Sequence, residues 1–208
     1  ALPISMICNT IGISDRERDY LDMLDRNIVD GIITAAHSLD EEEYLKQKKP
    51  IVSVDREFGP GIPLIGSDHA MGGRMAAELL LKNGCKKVLQ VSGVAPGIAA
   101  QERHSVFKEV MQRQGVEILD MVMDWNVFDW NVHYEGMERF LCQHPDIDGV
   151  FGGDMAAIAC MNAVLQKGIR VPEDVKIIGF DGMDVTRMVY PRLTAVRQNV
   201  QLLAELCR

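Results

Sequence analysis

No run in these 208 residues approaches the roughly 18 consecutive apolar positions that a bilayer-spanning helix needs. The opening nine residues have neither the basic start nor the length of a secretory signal. Both gaps lead us to expect a cytoplasmic chain with no membrane partner. Cysteine is sparse and unpaired in pattern. Cys8, Cys85, Cys142, Cys160 and Cys207 are an odd number, far apart and without a Cys-x-x-Cys spacing, which excludes a disulfide framework and predicts reduced thiols. Positive charge is also short, with a formal net charge of -8. Affinity for a phosphate backbone rests on Lys and Arg neutralising phosphates, so this segment by itself offers no nucleic-acid surface. Its one basic cluster, Lys82, Lys86 and Lys87, reads as a solvated helix end.

Catalytic signatures are missing as well. There is no Gly-x-Ser-x-Gly elbow, no phosphate-binding P-loop, no Gly-x-Gly-x-x-Gly turn and no His-Glu-x-x-His helix. His37, His69, His104, His133 and His144 are scattered and do not pair at metal-ligand spacing. We expect no enzyme, no cofactor and no metal.

What is present is alternation. An apolar strand over 5–10 leads to a helix from about 14, where Ser14 and Glu17 have capping-box spacing. Strand 29–34, acidic helix 40–47, strand 51–55 and a strand delivering Ile65 to Asp68 follow, then a helix over 69–82 closed by Gly84 and a strand over 87–92. The glycine- and proline-rich turn at 93–97 predicts a lobe boundary. Beyond it come helix 99–114, strand 117–123, an aromatic loop over 124–132 with Trp125, Phe128 and Trp130, helix 134–143, strand 148–152 and helix 155–166. Residues 192–199 read as extended and 201–208 as helical. Such alternation predicts parallel sheets with right-handed crossovers.

The chain is organised around residues 168–182. Gly168 ends a helix in the left-handed conformation that glycine tolerates. Residues 175–180 are a buried parallel strand by their near-continuous apolar character. The strand stops at Gly179-Phe180-Asp181-Gly182, the edge where open α/β sheets bind ligands. Local sequence leaves Asp181 two roles, ligand contact or cap of the next helix.

Six motifs in consistent order carry a resemblance. They are Val52-Ser53-Val54-Asp55-Arg56; Ser67-Asp68 followed by Gly72-Gly73 and Ala76-Ala77; Arg103 three residues before Val106-Phe107; Gly153-Asp154-Met155-Ala156; Val171-Pro172-Glu173-Asp174-Val175 with Gly179-Phe180-Asp181; and Pro191-Arg192-Leu193-Thr194-Ala195-Val196-Arg197-Gln198. Together they resemble the effector-binding core of the LacI/GalR family of bacterial transcription regulators. The resemblance implies an α/β fold of two Rossmann-like lobes with parallel sheets, of periplasmic-binding-protein type I architecture. Its first lobe would here lack the opening strand and helix. The lobes are expected over 1–92, completed by 198–208, and over 93–197, with the DNA-binding headpiece absent from this chain.

The family further implies a small effector (a sugar, sugar phosphate or purine) in the interlobe cleft, a homodimer, and operator DNA bound only through the headpiece. By position, Asp181 would accept hydrogen bonds from the effector and Arg103 would donate a planar fork to it. Phe128 or Trp130 would stack on its apolar face. Asp55 and Asp154 match weaker positions at the cleft edge, where Asp154 is alternatively a helix cap. Met71 and Met75 on one helix, and Met155, Ile158 and Asn162 on another, are the expected dimer contacts. The alternative is an exported sugar-binding receptor of an ABC transport system with the same fold, which the unpaired cysteines disfavour.

Overall fold

The computed structural model describes residues 4–10, 12–35, 38–93, 100–123 and 129–207. The chain forms two compact units, Ala1–Ser67 with Val200–Arg208, and Asp68–Asn199. In the first, α1 (Ser14–Asp25) precedes β1 (Ile32–Thr34), α2 (Glu41–Leu45), β2 (Ile51–Val54) and β3 (Leu64–Ile65). The strands make a parallel sheet in the order β1-β2-β3, with Ile32 opposite Ile51 and Val54 opposite Ile65. Its core is small, built of Leu21, Leu24, Leu39, Tyr44, Ile51 and Phe58.

The second unit runs α3 (His69–Lys82), β4 (Lys87–Gly93), α4 (Ala100–Arg113), β5 (Glu117–Met123), α5 (Trp130–Gln143), β6 (Gly149–Gly153), α6 (Asp154–Gln166), β7 (Lys176–Asp181), α7 (Val185–Met188) and β8 (Thr194–Arg197). All five strands are parallel, in the order β5-β4-β6-β7-β8. Successive strand side chains face opposite ways, and the two buried clusters follow that rule. Val88, Phe151, Ile178 and Phe180 pack with Ala76, Leu80, Phe107 and Met111 of α3 and α4. Leu89, Val150 and Ile177 pack with Met137, Leu141 and Met161 of α5 and α6. Helices therefore cover both faces of the sheet. The chain ends with α8 (Val200–Leu206) in the first unit.

Several expectations are corrected. The units divide at 67/68 rather than 92/93, because β4 pairs with both β5 and β6 and thus belongs inside the second sheet. The expected turn at 93–97 lies, beyond Gly93, outside the described residues. Residues 4–10 form no strand. With Ile32 and Ile33 of β1, Ile4, Met6 and Cys8 instead line a groove of about 940 Å³. Ser14 and Glu17 make no capping box. Glu17 is buried and accepts hydrogen bonds from the Ser38 N–H at 2.9 Å and from the Tyr44 hydroxyl. Asp68 does cap α3, accepting the Met71 N–H at 2.7 Å.

The tightest packing is between α3 and α4. A Cβ on Gly73 would lie 2.1 Å from the Arg103 carbonyl oxygen, and one on Gly72 would lie 2.6 Å from the Phe180 ring. In an exposed helix interior, Gly→Ala gains about 1 kcal/mol. Gly73→Ala should instead lose about 1–3 kcal/mol, as overpacked sites do, measured from urea unfolding. A stabilised variant would show that the helices part without cost.

Candidate functional site

β7 delivers Phe180 and Asp181 to the C-terminal edge of the sheet. Phe180 is buried at 1% exposure. The Arg103 guanidinium of α4 sits over its ring, 4.2 Å from the centroid. From there an Arg103 Nη1–H reaches Asp181 Oδ1 at 3.4 Å. The same oxygen accepts the Gln198 side-chain amide at 2.7 Å, and the Gln198 backbone N–H donates to the Asp181 carbonyl at 3.0 Å. Residues 78 positions apart in sequence are thus brought onto one carboxylate.

Asp181 adopts φ 110 and Gly182 φ 67. A non-glycine residue at positive φ is strained, and such strain collects at functional positions. Asp181 keeps 36% of its side chain exposed against 16% for Arg103. One carboxylate oxygen therefore holds the internal bonds while the other remains a strong acceptor, next to a cation with several donors. Such an array suits a small molecule with adjacent hydroxyls. It contains no nucleophile beside a base, and no group of three metal-ligating side chains occurs among the described residues.

Of the expected contacts, Arg103 and Asp181 are brought together. Asp154 is not a cleft-edge contact. It is 1% exposed at the start of α6, and its Oδ2 accepts the Met183 N–H at 2.7 Å. Burial pushes its carboxyl up to about 6. Nor does it cap α6, whose N-cap is Gly153. Trp130 belongs to helix α5 rather than a loop, where Asp129 caps the helix. Its ring stacks on Tyr134 and packs against the main core cluster. Phe128 lies outside the described residues. Asp55 ends β2 in the first unit at φ 58, and a Cβ on Gly66 would lie 2.7 Å from its Oδ1.

Two contributors escaped the sequence reading as site residues. Gln198 lay in a quoted motif, but only β7–β8 pairing shows that it meets Asp181. His69 packs its ring on Phe180, with centroids 5.7 Å apart; nothing local in the sequence signals that contact.

Known proteins match this chain at three levels. A profile described as periplasmic binding protein-like domain matches residues 77–207. The sucrose operon repressor of Streptococcus mutans is 37% identical over 205 residues, covering 97% of this chain and 62% of the repressor. The ribose operon repressor of Halalkalibacterium halodurans is 34% identical over 197 residues, covering 94% and 58%. The chain thus spans about three fifths of the length of these relatives. A periplasmic binding protein/LacI transcriptional regulator from Alkaliphilus metalliredigens, solved with D-xylulofuranose, superposes with a TM-score of 0.82 at 30% identity, covering 97% of this chain and 75% of that one. The Lac repressor bound to ONPG shares the fold, with a TM-score of 0.78 at 20% identity over 93% of this chain and 60% of the other.

His104 follows Arg103 and is 9% exposed against Phe151, its Nδ1 without a hydrogen-bond partner among the described residues. Burial first, and then the Arg103 charge, lower it to about 4 from 6.5. Between those values the unfolded chain takes up a proton that the folded chain refuses, so stability is full above about pH 6.5 and falls toward pH 4. His104→Leu cannot titrate. Between pH 7 and 4 its urea-derived stability should gain on the wild type by up to about 3 kcal/mol. A gap that does not change with pH would overturn this assignment.

Proposed function

Because the chain belongs to the LacI/GalR family of transcription regulators, we propose that it is the ligand-sensing and dimer-forming core of a cytoplasmic bacterial repressor. A small polyhydroxylated effector, of the sugar class, binds at Asp181 and Arg103 and controls operator binding through a separate DNA-binding headpiece. The observation that carries this reading is the convergence of Arg103 and Gln198 on a strained, half-exposed Asp181. The repressor names and the sugar-bound neighbour support it. The transport-receptor alternative is not favoured, because the curated relatives described are operon repressors. Among the described residues no helix is long and apolar enough to cross a membrane.

Calorimetry against sucrose, D-ribose, D-xylulose, their phosphates and purine bases tests the site. One of the sugars or sugar phosphates should bind, and at 100 times its dissociation constant it should stabilise the fold by roughly 2.7 kcal/mol. Asp181→Asn or Arg103→Ala should weaken that binding by about 1.5–3 kcal/mol, the typical contribution of a hydrogen bond to a charged group. Unchanged affinity in both variants would refute the site.

For the dimer, α3 offers Met71, Met75 and Leu79 at 55%, 54% and 39% exposure, spaced i, i+4, i+8 on one face. Methionine adapts to such contacts. On α6 the expectation narrows. Ile158 is only 4% exposed and belongs to the core cluster, while Met155 and Asn162 are half-buried. We therefore assign the self-association face to α3. Met71→Lys with Met75→Lys should convert the dimer to a monomer in light scattering, because two unpaired charges buried there would cost several kcal/mol. A double variant that stays dimeric would move the interface elsewhere.

A further inference from the structure

The role of Asp154 lies in the turn that follows β7. Its Oδ2 accepts the Met183 N–H, and the Gly182 N–H also favours its charged form. Its Oδ1 faces β7 where Gly179 leaves room, since a Cβ there would lie 2.5 Å away, and it has no hydrogen-bond partner among the described residues. A buried carboxylate with one unsatisfied oxygen is costly to keep. Its placement brings a grip on the strained segment. Asp181 and Gly182 both sit at positive φ, and Gly182 is pressed against Arg197 so closely that a Cβ would lie 2.6 Å from the Arg197 Cβ. That conformation is what carries the Asp181 carboxylate to Arg103 and Gln198.

From this geometry we infer that Asp154 is the positioning residue of the effector site: its ionised carboxylate holds the Met183 amide of the turn after β7 and so fixes the direction of the Asp181 side chain. The inference rests on reading Asp181 as the effector contact, but the clamp itself is testable without an effector.

The clamp depends on charge. Hydrogen bonds to an ionised acceptor are roughly twice as strong as neutral ones. Burial pushes the Asp154 carboxyl up to about 6, with the Asp181 charge from β7 raising it further and the Arg103 charge from α4 opposing. Gly179, which faces its Oδ1, adds no charge. The grip is therefore full near pH 7.5 and weakens as pH falls through about 6.

The test is amide exchange by NMR on the ligand-free chain between pH 5 and 7.5, in the wild type, Asp154→Asn and Asp154→Ala. Corrected for intrinsic exchange, wild-type protection of the Met183 amide should fall about fivefold toward pH 5, the difference between a charge-assisted and a neutral bond. The Gln198 side-chain amide resonance, which reports the Asp181 carboxylate, should move with the same midpoint. Asp154→Asn keeps an acceptor but no charge, so its protection should be intermediate and independent of pH. Asp154→Ala should lose protection about tenfold at every pH, with Gln198 at its low-pH position. Wild-type protection that does not vary with pH overturns the clamp, as does an Asn variant that keeps the wild-type pH dependence. A Gln198 resonance that stays fixed while the Met183 amide loses protection reduces Asp154 to a structural residue. Should Asp154→Ala fail to fold, the wild-type profile and the Asn variant decide.

Discussion

Two helices cannot approach until one backbone meets the other unless the residues between them lack side chains, and that approach sets the geometry of the second unit. Gly73 lets α3 touch the carbonyl of Arg103, and Gly72 leaves space for the ring of Phe180. A larger residue at Gly73 would push α4 away from α3, and one at Gly72 would push α3 off the sheet. The guanidinium would then leave the ring it covers at 4.2 Å, losing a contact that is worth more when desolvated. Because Arg103 is aimed by its backbone as well as its side chain, a helix displacement of an ångström would matter more here than at a surface arginine. The small residues Ala76 and Ala77 continue the same face one turn on, both almost fully buried.

Electrostatics at this edge trade stability for orientation. Arg103 is flanked by His104, kept neutral by burial and by the arginine's own charge. It faces Asp181, behind which Asp154 lies buried with a raised proton affinity. The hydroxyl donors of a polyhydroxylated ligand would satisfy the exposed acceptor of Asp181 without neutralising its charge. Desolvated charges and left-handed backbone both lower the stability of the empty fold. Their presence at one strand end, next to the buried apolar core of Val150, Phe151 and Ile178, is what binding sites on otherwise stable scaffolds look like.

Much of the fold was legible because it is written locally. Helix α3 over 69–82 and strand β5 over 117–123 follow from apolar spacing and flanking glycines, and Gly168 takes the positive φ expected of a helix stop. Motif position singled out Arg103 and Asp181, and the structure brings their side chains within 3.4 Å of each other. Features set by what packs across from a residue were not. Ile158 reads as a surface residue until α6 is seen to be buried on nearly all sides. Glu17 reads as a cap until Tyr44 and the amide of Ser38 claim it. Asp154 reads as a ligand contact because the sequence cannot show that the Met183 amide, 29 residues on, reaches it first. The unit boundary was misread for a related reason. A glycine-rich turn signals a break in the path of the chain, but only strand pairing shows to which sheet β4 belongs.

Each unit, taken by itself, ends a central strand with an aspartate in left-handed conformation. Asp55 follows β2 at φ 58 and Asp181 closes β7 at φ 110; among the described residues the other non-glycine at positive φ is Asn27, just beyond α1. Beside Asp55 a glycine on a neighbouring segment, Gly66, leaves the carboxylate room, whereas Gly182, directly after Asp181, lies against Arg197. Aspartate tolerates this backbone better than most residues, yet an asparagine or glycine would relieve more strain in a loop with no other duty. Both positions carry the one side chain of that group that is anionic at neutral pH. The cost is therefore spent twice on the same chemistry, a fixed hydrogen-bond acceptor at a strand end. The same backbone conformation thus follows a strand in each unit, at Asp55 and at Asp181.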